Sequence, residues 1–270
     1  MLPKQSHQWW GTYQLPENTQ AICKVGPMLL CVQRFAKEWR IGYRSSREEA
    51  FDEQGQQIVV GKPLTEFDSQ SSVTRFSARQ TTDRLVLVPA LADRAVVTRP
   101  EGAFFIPPGE ETLLFVTTPL WARVEVGEPL RTLQEMPIFR PSDTWFGPSS
   151  LAGELCYASR THGHTDLTKL SFRPHRAITP VSICNLSEEA LLLERMNLPV
   201  PYLSLFSSEN GYLWTQAVTF TREKGGDVVS LKFDKQPPRE AVSPTLLSGP
   251  RKEADRNRNY SPPISPAKAI

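Results

Sequence analysis

Short runs of alternating apolar and polar residues, cut by turn signals, recur along this chain and restrict it to an extended, sheet-forming architecture. The clearest run is Glu38 to Arg44, where Trp39, Ile41 and Tyr43 fall on one face and Glu38, Arg40 and Arg44 on the other. A period of two is that of a half-buried strand. The run Met28-Leu29-Leu30-Cys31-Val32, opened by Gly26-Pro27, supplies a hairpin partner. Similar patterns follow at Ile58-Val59-Val60, Val73 to Ala78, Leu85 to Val88 and Ala95 to Thr98. Leu85 to Val88 is apolar on both faces, as a central strand requires.

A second series starts after Arg99-Pro100: Ala103 to Ile106, the turn Pro107-Pro108-Gly109-Glu110, then Thr112 to Thr117 and Trp121 to Val126. Strands also read at Glu154 to Ser159 and Ala177 to Cys184. No amphipathic helices of crossover length separate these segments, so a sandwich or barrel is expected rather than βαβ units. Asn210-Gly211, between Leu203 to Phe206 and Tyr212 to Trp214, is the strongest hairpin signal, because a tight turn needs residues that tolerate positive φ. Gly225-Gly226-Asp227 then links Ala217 to Phe220 with Val229 to Phe233, completing an expected three-strand meander. A helix beginning at Ser187 competes with a strand over Leu191 to Leu198, and the all-β context favours the strand. A short helix at Ser46 to Ala50 competes with an exposed loop.

The expected architecture is all-β: two β-sandwich-like units, or one large sandwich, with a disordered C-terminal tail. Residues 1–98 form the N-terminal β domain, 99–235 the C-terminal sandwich and 236–270 the tail. The tail is rich in proline, serine and basic residues and nearly free of large apolar ones, so it buries too little surface to offset its ordering entropy. It reads as a solvated tether or a weak polyanion-binding arm.

Lys+Arg 31 against Asp+Glu 29 leaves a net charge of +2, which provides no long-range field for nucleic acid. No stretch reaches the length of a membrane span and the N-terminus lacks an export signal, so a soluble, cytoplasmic protein is expected. Cys23, Cys31, Cys156 and Cys184 form no CxxC and read as ordinary buried or half-buried thiols.

The chemical motifs are sparse. Gly55 to Lys62 fails as a phosphate loop, with one residue too many between its glycines and Pro63 where a hydroxyl belongs. The best polar cluster is His162-Gly163-His164 with Glu154 and Asp166. Alternate strand residues point the same way, so the two histidines could face one divalent metal, with a carboxylate or Cys156 completing the set. The competing reading is a solvated hairpin tip. Trp145 and Phe146, in a segment rich in proline and glycine, offer an aromatic binding surface. Trp214 reads as core, while Trp9 and Trp10 read either as stacking aromatics or as core. Asn185-Leu186-Ser187 fits a glycosylation sequon, which without an export route has no meaning.

Thr144-Trp145-Phe146-Gly147, Gly153-Glu154-Leu155-Cys156-Tyr157, Ile183-Cys184-Asn185-Leu186-Ser187, Glu194-Arg195 and Leu213-Trp214-Thr215 together resemble a DUF432-like family of uncharacterised prokaryotic proteins. The resemblance spans Trp9 to Phe233. It implies a prokaryotic origin and carries no catalytic residue, substrate or cofactor. With no catalytic constellation in the chain, the leading expectation is a non-enzymatic binding or scaffold module with a protein or carbohydrate partner. The rival is a metal-dependent or hydrolytic enzyme with its site near His162 and His164.

Overall fold

The computed structural model describes residues 8–46, 55–147, 153–225 and 229–253. Among them there is no α-helix, and the fold is all-β with several sheets. The strands are β1 (Gly11–Gln14), β2 (Thr19–Val25), β3 (Met28–Phe35), β4 (Glu38–Ser45), β5 (Gln56–Pro63), β6 (Ser72–Ser77) and β7 (Arg84–Leu91). Then come β8 (Val96–Pro100), β9 (Phe104–Ile106), β10 (Glu111–Val126), β11 (Arg131–Pro137), β12 (Asp143–Phe146), β13 (Glu154–Gly163) and β14 (Arg176–Asn185). The last seven are β15 (Leu191–Leu193), β16 (Met196–Leu198), β17 (Leu205–Ser207), β18 (Leu213–Thr215), β19 (Val218–Arg222), β20 (Val229–Phe233) and β21 (Thr245–Ser248).

The chain forms two compact units, each assembled from separate stretches. The first comprises residues 1–90, 120–139 and 173–175, and the second 91–119, 140–172 and 176–270. The expected partition into 1–98 and 99–235 is consecutive, whereas the observed units interleave. The cause is β10, a single 16-residue strand whose first half belongs to the second unit and whose second half belongs to the first.

In the first unit β5-β2-β3-β4-β6 form an antiparallel sheet, with Trp39 opposite Arg34 and Ile41 opposite Val32 in the expected β3–β4 hairpin. Trp39 and Ile41 are buried while Arg40 and Arg44 are not, so the period-two reading of β4 holds. Gly42 is required there: a Cβ would lie 2.3 Å from the Phe67 ring. A second set of strands, β1, β7, the end of β10 and β11, buries Leu85, Leu87 and Val124. β7 is central and buried on both faces, as its composition requires. Trp9 and Trp10 are buried edge to face, 5.7 Å apart, and the Trp9 indole donates to the Pro174 carbonyl at 2.9 Å.

In the second unit the first half of β10 pairs with β14 over Glu111–Pro119, and β14 carries β18 and β19 in turn along its other side. The Asn210-Gly211 hairpin joins β17 to β18, with Gly211 at φ +85. The meander is corrected at its middle step: β18 and β19 do not pair with each other, because both run parallel to β14, at Ala177–Ile178 and Val181–Asn185 respectively. Only β19 and β20 form the expected antiparallel pair. The strand expected over Leu191 to Leu198 is present but broken into β15, which pairs with β9, and β16, which pairs with β8.

The tail boundary also moves. Residues 236–253 are part of the fold: β21 pairs with β17, Ala241 is buried against Phe115, Ile178 and Trp214, and Arg251 Nε donates to the Leu91 carbonyl at 2.7 Å. The short strand Thr245–Ser248 pairs along the edge of β17, and the segment's sparse apolar composition does not prevent that pairing. Residues 254–270 and the helix-or-loop segment 47–54 lie outside the described residues. No helix among the described residues is long and apolar enough to cross a membrane.

Candidate functional site: a charged groove at the rim of a mixed sheet

Four strands of the second unit, in the order β12-β13-β8-β16, form a mixed sheet. β13 runs parallel to β8, with Ala158 level with Val97 and His162 level with Arg99. Four residues of β13 therefore span two of β8, so β13 bulges between them. The bulge has an identifiable anchor in Arg176, a charged residue only 3% exposed. Its Nη2 donates to Ser159 Oγ at 3.0 Å, Thr161 Oγ1 at 2.7 Å and the Thr117 carbonyl at 2.8 Å, while Nε donates to Thr117 Oγ1 at 3.1 Å. The bulged residues Ser159 and Thr161 also bond each other, and Thr98 donates to the Thr161 carbonyl. A buried guanidinium is tolerable only when its donors are satisfied, and here hydroxyls and a carbonyl do so.

The consequence is a register. Without the bulge His162 would fall beyond Arg99; with it, the two are neighbours on adjacent strands. On the other flank β16 runs antiparallel to β8, pairing Met196 with Thr98. Arg195 immediately precedes that pair, just outside β16. His162 and Arg99 thus form a row on neighbouring strands, with Arg195 just ahead of a third. They line an open groove of about 560 Å³ with Glu101, Gly102 and Glu194. The Arg195 guanidinium lies 5.2 Å from the centre of the Phe146 ring, a cation–π contact that holds it at the groove's edge.

The expected metal cluster is distributed among separate partners. His164 Nδ1 lies 3.3 Å from Glu101 Oε2, and Lys169 Nζ approaches the same oxygen at 3.3 Å. Lys169 first, then His164, holds the Glu101 carboxyl below its ordinary range. Asp166 caps the 3-10 turn Leu167–Lys169, accepting from the Thr168 amide at 2.9 Å and hydroxyl at 2.7 Å, and these bonds lower its carboxyl. Glu154 accepts from the Asn197 side-chain amide. No three His, Cys, Asp or Glu side chains converge for a metal among the described residues. His162 lines the groove, whereas His164 does not and meets it only through Glu101.

Trp145 and Phe146 also separate. Phe146 is buried with Ala95, Val97 and Cys156, whereas Trp145 is 43% exposed and stands opposite the exposed Leu155 on β13. Adjacent strand residues point to opposite faces, so the two aromatics cannot share one surface. Cys156 is pushed up to about 12, chiefly by burial, which leaves it a neutral, unreactive thiol. Asn185 of the sequon is fully buried: its amide donates to the carbonyls of Ile106, Pro107 and Glu189, and its Oδ1 accepts from Ser187 Oγ at 2.8 Å. It ties a turn together.

Arg99 and Arg176 escaped the sequence reading. Arg99-Pro100 looked like a boundary, and Arg176 was one charge among many. A usable signal existed in the hydroxyl-rich positions Thr117, Ser159 and Thr161, which lie on strands and need a buried donor or acceptor once covered.

The fold and the groove together define an all-β protein of strand-built units with a mixed-charge groove at the rim of one sheet. The sequence pattern of the DUF432 family, proteins of unknown function, matches residues 9–261, and the chain belongs to that family. The match includes the segment from Gln236 to Glu253 that folds onto the second unit. No curated protein and no solved structure matches the chain.

Proposed function

We propose that this protein is a non-enzymatic binding module of a prokaryotic cytoplasm, and that the groove lined by Arg99, Glu101, His162, Glu194 and Arg195 is its recognition surface. The observation that carries this reading is the row of His162 and Arg99, set level on neighbouring strands by a bulge with a buried anchor, with Arg195 lining the same groove. Binding sites are concave and combine a few placed polar groups on a rigid support. The partner is a protein or carbohydrate presenting a polar group to the row. Four cysteines without a disulfide support a reducing compartment.

A melting-temperature screen tests the reading, because a ligand that binds only the native state raises the midpoint. Wild type and the Arg99→Gln/Arg195→Gln variant are compared against neutral oligosaccharides, phosphosugars and dipeptides. At least one compound is expected to raise the wild-type midpoint by several degrees and the variant's by much less. A screen in which no compound separates the two proteins, or in which the active compound is consumed, overturns the proposal. Metal analysis of the purified protein addresses the rival enzyme reading directly, since stoichiometric zinc or nickel lost in His162→Gln would favour it.

A further inference from the structure

We infer that the groove recognises a phosphate group, with Arg99 and Arg195 as its two guanidinium arms and His162 as a third contact. The inference rests on the groove being the recognition surface and names the chemistry of what it takes. Arg99 and Arg195 line the same groove, and two like charges brought together without a counter-ion are unfavourable. Such an arrangement is stabilised when an anion lies between the arms. Arg195 is steadied by the Phe146 ring, while the Arg99 guanidinium has no hydrogen bond or ion pair among the described residues, so its donors remain open to a ligand. Guanidinium groups bind phosphate through paired N–H donors, and a protonated or neutral imidazole adds another donor at the third oxygen.

The acidic residues nearby do not cancel this field. Glu101 shares its Oε2 with Lys169 and His164, each at 3.3 Å, so its charge is partly offset by those groups. Glu194 is exposed, at the position next to Arg195.

The experiment is titration calorimetry of the full chain with inorganic phosphate, acetate, phosphoserine and glucose 6-phosphate, repeated for Arg99→Gln, Arg195→Gln and His162→Gln. Amide shifts in a 15N-labelled sample locate the site, and circular dichroism confirms that each variant is folded. Phosphate is expected to bind with a 1:1 ratio, to shift residues 99, 162 and 195, and to weaken at least roughly tenfold on losing either arginine. Tighter binding of phosphoserine or of glucose 6-phosphate than of inorganic phosphate also supports the inference and tells whether a peptide or a sugar carries the group. Acetate binding as tightly as phosphate overturns it, as does phosphate binding that survives both arginine substitutions. If phosphate fails while a neutral compound separates wild type from variant in the melting screen, the phosphate inference falls and the binding-module reading stands.

Discussion

At the scale of single residues, Arg176 has the widest reach. Its guanidinium joins Thr117 on β10 to Ser159 and Thr161 on β13, and those hydroxyls shape the bulge that brings His162 level with Arg99. Removing it leaves several buried hydroxyls and a carbonyl short of a donor. Arg176→Met is expected to destabilise the protein by about 3 kcal/mol, the range for breaking a buried, charged hydrogen-bond network. Arg176→Lys, keeping the charge but not the fork, should fall between wild type and Met. Urea denaturation measures both, and a Met variant as stable as wild type would show that the hydroxyl cage is not what holds the bulge. The same residue explains why the site was hard to read. A buried arginine and an exposed one look alike in sequence, and only the burial distinguishes a structural anchor from a surface charge.

At the scale of elements, local signals were reliable where one short stretch decides its own geometry. Asn210-Gly211 turns β17 into β18 because Gly211 adopts φ +85, a conformation that L side chains resist. Gly211→Ala should cost about 1 kcal/mol from backbone conformation, since an added Cβ would meet Phe172 only at an ordinary 3.8 Å. Gly249→Ala is the control: its Cβ would enter open space and no positive φ is involved, so thermal melting should show no loss. Equal destabilisation at both positions would remove the turn argument. Pairing between distant segments was less legible. β18 and β19 each carry a readable alternation, but whether they pair with each other or line up along β14 depends on the neighbour that covers them. Likewise His162-Gly163-His164 reads as one cluster on an ideal strand, and the bulge with Phe115 bridging His164 gives the two imidazoles separate surroundings.

At the scale of the whole molecule, the units interleave because β10 contributes to both, and the tail is partly enlisted as β21. Burial on this scale also governs the thiols. Cys23 and Cys156 are pushed up to about 12 and Cys31 to about 11, in each case chiefly by burial. An unfolded thiol ionises near 9, so between pH 9 and 12 the unfolded chain releases protons that the native state keeps. Stability should therefore be flat below pH 9 with respect to these groups and fall as pH rises through that window. Urea midpoints at pH 8 and pH 10 measure the slope, and Cys23→Ser/Cys156→Ser should flatten it. A midpoint indifferent to alkaline pH would mean that the thiols ionise freely in the folded protein.

The amino-acid sequence by itself determined the strand content, the lack of a helical layer among the described residues, the sharp turn at Asn210-Gly211 and the burial of Trp214, because each follows from side-chain alternation or from one residue's backbone freedom. Only the tertiary structure decided which strands became neighbours, where the tail joined the sheet and which charged residues met at the groove. Those outcomes depend on long-range register, and a two-residue bulge pinned by a buried guanidinium moves a side chain farther than any local pattern records.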